Sequence, residues 1–256
     1  MTSDPRTASL AAYWRFFAAF NSREPASWAD ALNFPHVRVS GRAPLSLTLT
    51  RAEHERAMNW NKPLDSGWHH SVGAEPQVLH VSPDVVHICG GWTRFTEQHA
   101  PIMSNQVTYI ITRMRVDGID HWGMQARFGI DPGNDSEAMP AADEALALVD
   151  TYLDAWNVRD YAGCAALLHY PAAQVLPGEI VRLPDAASFS SRLAAATWHS
   201  IRERTLEPVQ TGPTAVNVAI DMTLAGREQA VFLVTRREGR WGIEGRSIIE
   251  AGDGHS

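Results

Sequence analysis

Histidine side chains, which can take up a proton near neutral pH, are concentrated in the first half of this chain. Eight of the eleven histidines precede residue 138, and two of them, His69 and His70, are adjacent. An imidazole at a pocket wall can act as a general base or hydrogen-bond a ligand. Because adjacent residues of a strand point to opposite faces, we expect at most one of the two to line a pocket.

Arginine side chains form a second group of candidates. His36 and Arg38 share one face of the first predicted strand, and Arg94 and Arg127 can reach the same neighbourhood. A pair of arginines suits a carboxylate, enolate or phenolate ligand through bidentate contacts, so Arg38 or Arg94 can hold developing negative charge. The alternative for each arginine is ordinary pairing with Asp or Glu on the sheet exterior.

Polar and aromatic residues elsewhere complete the candidate site. Asn21 and the Tyr109 hydroxyl are further candidates to hold developing negative charge. The aromatic residues that can line a pocket are Trp14, Phe17, Trp68, Trp92 and Tyr109. Aromatic residues at helical spacing are more often part of the core, so the pattern is compatible with either role.

Composition and the absence of short motifs exclude several functional classes. A net charge of -7 and a pI near 5.9 disfavour nucleic-acid partners and anionic membranes. The sequence has no H-E-x-x-H, no G-x-S-x-G and no glycine-rich phosphate loop, so we expect neither a metal nor another cofactor. Lys62 is the only lysine and lies in a loop-like setting, which argues against Schiff-base chemistry.

The cysteines and the apolar run near the start bear on cellular location. Cys89 and Cys164 have neither the number for a disulfide framework nor C-x-x-C metal spacing. The run Leu10–Phe20 contains Arg15 and is too short to span a bilayer, and no basic segment precedes it. A cytoplasmic location is therefore the default expectation.

Hydrophobic spacing predicts the elements that must position these residues. An amphipathic helix over Leu10–Phe20 is followed by a short helix after Pro25, and a third helix is predicted within Arg51–Trp60. The predicted strands are one after Pro35, then Ser71–His80, Val85–Phe95, Gln106–Arg115 and Trp122–Phe128. Gly90 and Gly91 inside a strand predict a bulge or bend. Helices followed by a mostly antiparallel sheet indicate an α+β fold.

The sequence repeats this order of elements. The segment His121–Arg127 (HWGMQAR) has an echo in Arg240–Arg246 (RWGIEGR), and Asn157 and Tyr170-Pro171 recur 136 positions after Asn21 and Phe34-Pro35. Each closing segment alternates like a half-buried strand, which puts Gln125 with Arg127, and Glu244 with Arg246, on one face. That recurrence fits a shared structural role for these residues, such as contact between domains.

These motifs resemble the nuclear transport factor 2-like superfamily, which includes ketosteroid isomerase, scytalone dehydratase and SnoaL-type polyketide cyclases. The matching pieces are the aromatic first helix ending in Asn-x-x-acid, the Phe-Pro or Tyr-Pro step, Trp-His after the third helix, and the closing Trp-Gly-x-x-x-Arg. The resemblance implies two tandem cone-shaped domains, each with about three helices on a curved, mostly antiparallel sheet. We expect domains at 8–131 and 141–250, joined by a linker at 132–140.

The resemblance also implies a mechanism and an assembly. In dehydratase-like members a histidine after the third helix takes a proton and an aspartate at the end of the first helix orients it; His69 or His70, and His199, match the histidine. Asn21 and Asn157 occupy the aspartate position, and an amide cannot stabilise imidazolium by charge. The duplication implies an internal pseudo-dimer, with further homodimerisation open.

Two functional hypotheses follow. The first is a cofactor-independent lyase, dehydratase or isomerase that acts on a small hydrophobic or aromatic ligand in the first domain, with His69 or His70 moving the proton. The second is a non-catalytic small-molecule-binding or assembly protein of the same fold, which the amides at Asn21 and Asn157 favour.

Overall fold

The computed structural model describes residues 4–131 and 135–250, with only the backbone for 135–138. Within these residues the chain forms two compact units. The first unit contains 4–38, 46–127 and 177–179, and the second contains 39–45, 128–131, 135–176 and 180–250. Residues 132–134 of the expected linker lie outside the described residues, and 135–140 form the start of a helix.

The first copy of the fold combines four helices with a seven-stranded sheet. The helices are α1 (Pro5–Ser22), α2 (Pro25–Asp30), α3 (Arg51–Ala57) and α4 (Asn61–Asp65). The strands are β1 (Leu32–Ser40), β2 (Ser46–Thr48), β3 (His70–Gly73), β4 (Gln77–Val81), β5 (Val85–Phe95), β6 (Pro101–Val116) and β7 (Ile119–Ile130). The strand order is β2-β1-β7-β6-β5-β3, and β4 also pairs with β5.

The second copy has three helices and a six-stranded sheet. The helices are α5 (Asp135–Asn157), α6 (Tyr161–Ala166) and α7 (Ala186–Ala195). The strands are β8 (Leu168–Leu176), β9 (Glu179–Leu183), β10 (Glu203–Thr211), β11 (Ala215–Thr223), β12 (Arg227–Arg237) and β13 (Arg240–Glu250). The order β10-β11-β12-β13-β8-β9 repeats the first sheet, read from the opposite edge. The fold is therefore α+β and duplicated, as the sequence predicts.

The ends of the long helices show why the sequence folds this way. The Asp4 carboxylate accepts a hydrogen bond from the Thr7 backbone N–H at 2.8 Å, and Pro5 occupies the first turn of α1. Arg23, with φ 62°, ends α1 in the left-handed conformation, and Arg159, with φ 57°, follows α5 in the same way. The repeat thus extends to the backbone geometry that stops each helix.

Two expectations about the strands are corrected by the structure. The strand predicted at Ser71–His80 is two strands, β3 and β4, separated around Glu75-Pro76. Gly90 and Gly91 are paired in continuous register with Val107 and Gln106, without the predicted bulge. Their lack of side chains serves close packing instead, because a Cβ on Gly90 would lie 2.6 Å from the Tyr13 hydroxyl.

A bulge in the closing strand changes the face on which its arginine lies. In the second sheet Val234 pairs with Ile243, but Leu233 pairs with Gly245, so Glu244 is an extra residue. Arg246 consequently pairs with Phe232 and shares the face on which Phe232 contributes to the core. The shared face predicted for Glu244 and Arg246 is therefore wrong, because strict alternation fails at the bulge.

Each copy has its own hydrophobic core. The first is built around α1 and the inner faces of β5, β6 and β7, with the aromatic residues Tyr13, Phe16, Phe17 and Tyr109 at its centre. The second is built around α5, α7 and the inner faces of β11 and β12. Among the helices that the structure describes, none has the length and hydrophobicity needed to cross a membrane.

Candidate functional site

A cavity of about 380 Å³ opens between the sheet and the short helices of the first unit. We call it the basic cavity. One wall is apolar and is formed by Phe20, Trp28, Met58 and Trp60. The other wall carries imidazole and cationic groups, namely His36, Arg38, His54, Lys62, Arg94 and Arg127. Its volume is in the range of small-molecule sites.

Three strands deliver four of the six residues of the polar wall, whereas His54 lies on α3 and Lys62 lies on α4 and not in the expected loop. His36 and Arg38 are two residues apart on β1, which places them on the same face, and they pair with Thr48 and Ser46 of β2. Arg94 lies near the end of β5, and Arg127 lies on β7. The structure thus brings together the arginines that the sequence placed in one neighbourhood.

The basic cavity has positive charge without a balancing carboxylate. No Asp or Glu is among its lining residues. Among the side chains of residues 4–131 and 139–250, no carboxylate oxygen lies within 4.0 Å of the charged nitrogens of Arg38, Arg94, Arg127 or Lys62. Uncompensated cations around a partly desolvated space favour an anion there.

Arg127 and His36 form the floor of the basic cavity. The His36 Nδ1–H donates to the Met124 carbonyl at 3.0 Å, which leaves Nε2 to accept from the Arg127 Nε–H at 3.3 Å. Burial, followed by the charge of Arg127, lowers the pKa of His36 well below its usual value. Burial, followed by the charge of Arg38, lowers the pKa of Arg127 to about 9. At neutral pH the imidazole is neutral and the guanidinium is mostly charged.

His54 on α3 presents an unused nitrogen beside this floor. Its ring lies edge-on to Trp28, with centroids 4.8 Å apart, and is buried. Burial, followed by the charge of Arg127, lowers the pKa of His54 to about 4, so the ring is neutral. Its Nε2 and the indole nitrogens of Trp28 and Trp60 are buried without a hydrogen-bond partner within the described chain. These three orphaned polar atoms all belong to residues that line the basic cavity.

The two histidines favoured by the sequence lie outside the basic cavity. His69 is exposed, and its Nδ1 is 3.2 Å from the Nδ1 of His70. His70 is half-buried, stacks on Phe95 with centroids 5.3 Å apart and contacts the ring of His99. Both therefore lie in a surface cluster at the start of β3.

Asn21 has a structural position that the sequence did not predict. Its side-chain NH₂ donates to the Ser71 carbonyl at 2.8 Å, and its side-chain carbonyl accepts from the Ser71 N–H at 2.8 Å. Asn157 makes the same pair of bonds with Ile201, at 3.2 Å and 2.7 Å. In both copies the amide joins the end of the long helix to the adjacent backbone.

The remaining candidates belong to the core or the surface around it. Trp14 is 43% exposed, whereas Phe17 and Tyr109 are buried in the first core, and the Tyr109 hydroxyl has no partner within the described residues. The buried Trp68 donates its indole N–H to Ser71 Oγ at 2.9 Å. The half-buried Trp92 packs under the Arg94 guanidinium. Of the ten candidate residues, Arg38 and Arg94 line the basic cavity.

His54 is the functional candidate that sequence reasoning missed. It lies within Arg51–Ala57, a segment of alternating charge that is typical of an exposed helix. Its burial comes from tertiary contacts with the rings of Trp28 and Phe34, which the local sequence pattern does not indicate. In the parts of the chain that the structure describes, no group of three or more His, Cys, Asp or Glu could hold a metal ion.

Comparisons with known proteins give fold likenesses only. No protein-family model matches the sequence, and no curated protein sequence matches it. An NTF-2 like protein of unknown function from Silicibacter pomeroyi is 21% identical, and the match covers 46% of this chain and 99% of that protein, with a TM-score of 0.34. A putative ketosteroid isomerase from Kribbella flavida is 19% identical over 46% of this chain and 86% of that protein, with a TM-score of 0.36.

A third similar structure is a domain of unknown function with a cystatin-like fold from Nostoc punctiforme. It is 12% identical and has a TM-score of 0.41, and the match covers 59% of this chain and 87% of that one. The solved structures that resemble this chain thus include NTF-2 like and ketosteroid isomerase-like proteins, each of which matches about half of it.

Proposed function

We propose that the basic cavity binds a small organic anion with an aromatic or apolar body, such as an aromatic carboxylate. The observation that carries the proposal is the set of four cationic side chains, Arg38, Lys62, Arg94 and Arg127, around a space with no lining carboxylate. A carboxylate or enolate can accept paired hydrogen bonds from a guanidinium. The unpaired indole N–H groups of Trp28 and Trp60 supply further donors, and their rings supply apolar contact.

Calorimetric titration of the full chain with cinnamate and with its neutral analogue cinnamide tests this binding. We expect cinnamate to bind at least about tenfold more tightly, and Arg94→Met to remove most of that difference, because a charge-assisted hydrogen bond is lost. Arg115→Met is the matched control, since Arg115 is exposed and bonds to the Gly118 carbonyl of the β6–β7 turn. Equal affinities for the two probes would refute the proposal.

The second candidate function is cofactor-independent acid/base chemistry on the bound anion, and the unpaired Nε2 of His54 favours it. A neutral imidazole can take the proton from a carbon next to a carbonyl group while the arginines hold the enolate oxygen that forms. The same proton can return to that carbon or to a neighbouring one, or the enolate can expel a leaving group. Isomerases, dehydratases and lyases share this first step.

Exchange of the methylene protons of phenylpyruvate in D₂O, followed by NMR, tests proton transfer directly. We expect the protein to accelerate exchange and His54→Gln to abolish the acceleration. His69→Ala and His70→Ala, made separately and together, test the sequence-based assignment in the same assay. If the protein binds cinnamate but leaves exchange at the buffer rate, the non-catalytic binding function stands and the enzymatic one fails.

A further inference from the structure

The second unit contains a cavity of its own, of about 270 Å³, with a different chemical character. We call it the apolar cavity. Most of its lining is hydrophobic and includes Leu153, Trp156, Leu193, Met222, Phe232 and Ile248. Two polar side chains that it contains, Arg246 and Glu228, lie at different points along the sheet.

The register of β12 with β13 gives the distance along the sheet between Arg246 and Glu228. Arg246 pairs with Phe232, Ile248 pairs with Ala230, and Glu250 pairs with Glu228, so all of them share the core-facing side of the sheet. Phe232 and Glu228 are four positions apart on β12, which corresponds to about 13 Å at roughly 3.3 Å per residue. Between the two ends the face is apolar.

Arg246 lies at the buried end of the apolar cavity, and its Nε–H is free to donate a hydrogen bond. It is 5% exposed, and its guanidinium donates to the Tyr152 hydroxyl at 2.6 Å and to the Gln174 side-chain carbonyl at 2.9 Å. Both acceptors are neutral, and no carboxylate of the described residues pairs with Arg246. Its Nε is buried without a partner, so a donor remains for a ligand oxygen.

Glu228 marks the other end of the apolar cavity. It is half-buried, and Glu250 lies directly opposite it on β13. Like charges at directly opposed positions of a sheet are destabilising. Neither carboxylate forms a salt bridge with the side chains of residues 4–131 or 139–250. Burial, followed by the charge of Glu250, raises the pKa of Glu228. A donor group placed here would relieve the repulsion.

We propose that the apolar cavity binds an elongated, mainly apolar molecule that presents an oxygen acceptor to Arg246 and an ammonium or hydroxyl donor to Glu228. The ligand differs in class from the anion proposed for the basic cavity, which has no lining carboxylate. The second copy of the fold is then a second binding site with its own specificity. This inference does not depend on the function proposed for the first unit.

Calorimetry of the full chain with ω-aminodecanoate, decanoate and decylamine tests the two-ended recognition. A ten-carbon chain approaches the separation of the two polar groups. We expect ω-aminodecanoate to bind at least about tenfold more tightly than either one-ended probe, because each end contributes a charge-assisted hydrogen bond. Saturating cinnamate should leave this binding unchanged, since it occupies the other cavity.

Substitutions at each end make the test specific. Glu228→Gln, at a half-buried position that tolerates an isosteric amide, should lower the affinity for ω-aminodecanoate about tenfold and leave that for decanoate unchanged. The matched control is Glu207→Gln on β10, because Glu207 is exposed and does not line the apolar cavity. Arg246→Met should weaken both carboxylate probes. Equal affinities for the three probes, no effect of Glu228→Gln, or displacement by cinnamate would each overturn the proposal.

Discussion

The Nε–H of Arg127 donates to the Nε2 of His36 at 3.3 Å, so a half-buried guanidinium is held by a neutral ring and not by a carboxylate. Its other contacts are the faces of Phe16 and Trp28, with the guanidinium carbon 5.4 Å and 5.9 Å from the ring centroids. Cation–π contacts and one hydrogen bond compensate only part of the desolvation of a charge. The folded protein therefore retains a cation that an incoming anion can neutralise.

Replacement of Arg127 should lower the affinity for an anion far more than it lowers the stability of the fold. For Arg127→Met we expect the affinity for cinnamate to fall at least about tenfold. The free energy of unfolding should fall by no more than about 1 kcal/mol, since removal of a half-buried charge without a carboxylate partner offsets the loss of the donor to His36. Calorimetry and urea denaturation measure the two effects. Arg113→Met is the control, because Arg113 pairs with Asp84 outside the basic cavity and should leave binding intact. Retention of cinnamate binding by Arg127→Met would contradict the assignment.

The stability of the protein should depend on pH through His54 in the basic cavity. His54 has a pKa of about 4 in the folded protein, below the value of roughly 6.5 in the unfolded chain. The unfolded state therefore takes up the proton first as the pH falls, so stability is complete above about pH 6.5 and is lost between there and pH 4. At pH 5 this histidine alone should cost about 2 kcal/mol.

Urea denaturation at several pH values measures this loss. His54→Gln cannot be protonated, so its stability should fall less steeply between pH 6.5 and pH 5 than that of the wild-type chain. His69→Gln, at an exposed position outside the basic cavity, is the matched control for removal of a histidine. A slope that is identical in all three proteins would show that His54 is not held neutral.

Anion binding should be coupled to proton uptake. The charge of Arg127 contributes to the lowered pKa of His54, and a bound carboxylate would offset that charge. The pKa of His54 should then rise on binding, so that at pH 5.5 the complex takes up a fraction of a proton and affinity increases as the pH falls from 7. Titrations of cinnamate in two buffers of different ionisation enthalpy measure the uptake. If binding causes no proton uptake, or the same proton uptake in His54→Gln, then His54 is not coupled to anion binding at Arg127.

The paired amides at the ends of the long helices should act as equivalent structural clamps. Asn21→Ala and Asn157→Ala each remove two hydrogen bonds to a partly buried backbone, which should cost about 1–3 kcal/mol of stability. Urea denaturation of the two variants should give similar losses, and the cinnamate affinity of Asn21→Ala should remain within about threefold of the wild-type value. A loss of binding without a loss of stability would restore Asn21 as a ligand contact.

These residues show how far the sequence determines the site. The recurrence of the closing Trp-Gly segment, and of Asn21 at Asn157, revealed the duplication, because repeated local patterns carry a repeated fold. The alternating pattern misplaced Arg246, since the extra residue at Glu244 changes the face on which Arg246 lies without changing the residue types. His54 was missed because its burial comes from tertiary packing and not from a local pattern.

Gly90 was expected to form a bulge or bend, whereas the structure shows continuous strand pairing there and a close approach of the Tyr13 side chain. The Tyr13 hydroxyl donates to the Ala74 carbonyl at 2.7 Å, and a Cβ on Gly90 would lie 2.6 Å from that hydroxyl. Gly90→Ala should therefore displace the Tyr13 ring and cost about 1–3 kcal/mol by overpacking. Gly226→Ala is the matched control, because a Cβ there meets no atom within 4 Å, and it should be neutral or slightly stabilising. If both variants have wild-type stability in urea denaturation, the glycine serves the path of the strand and not the packing of Tyr13.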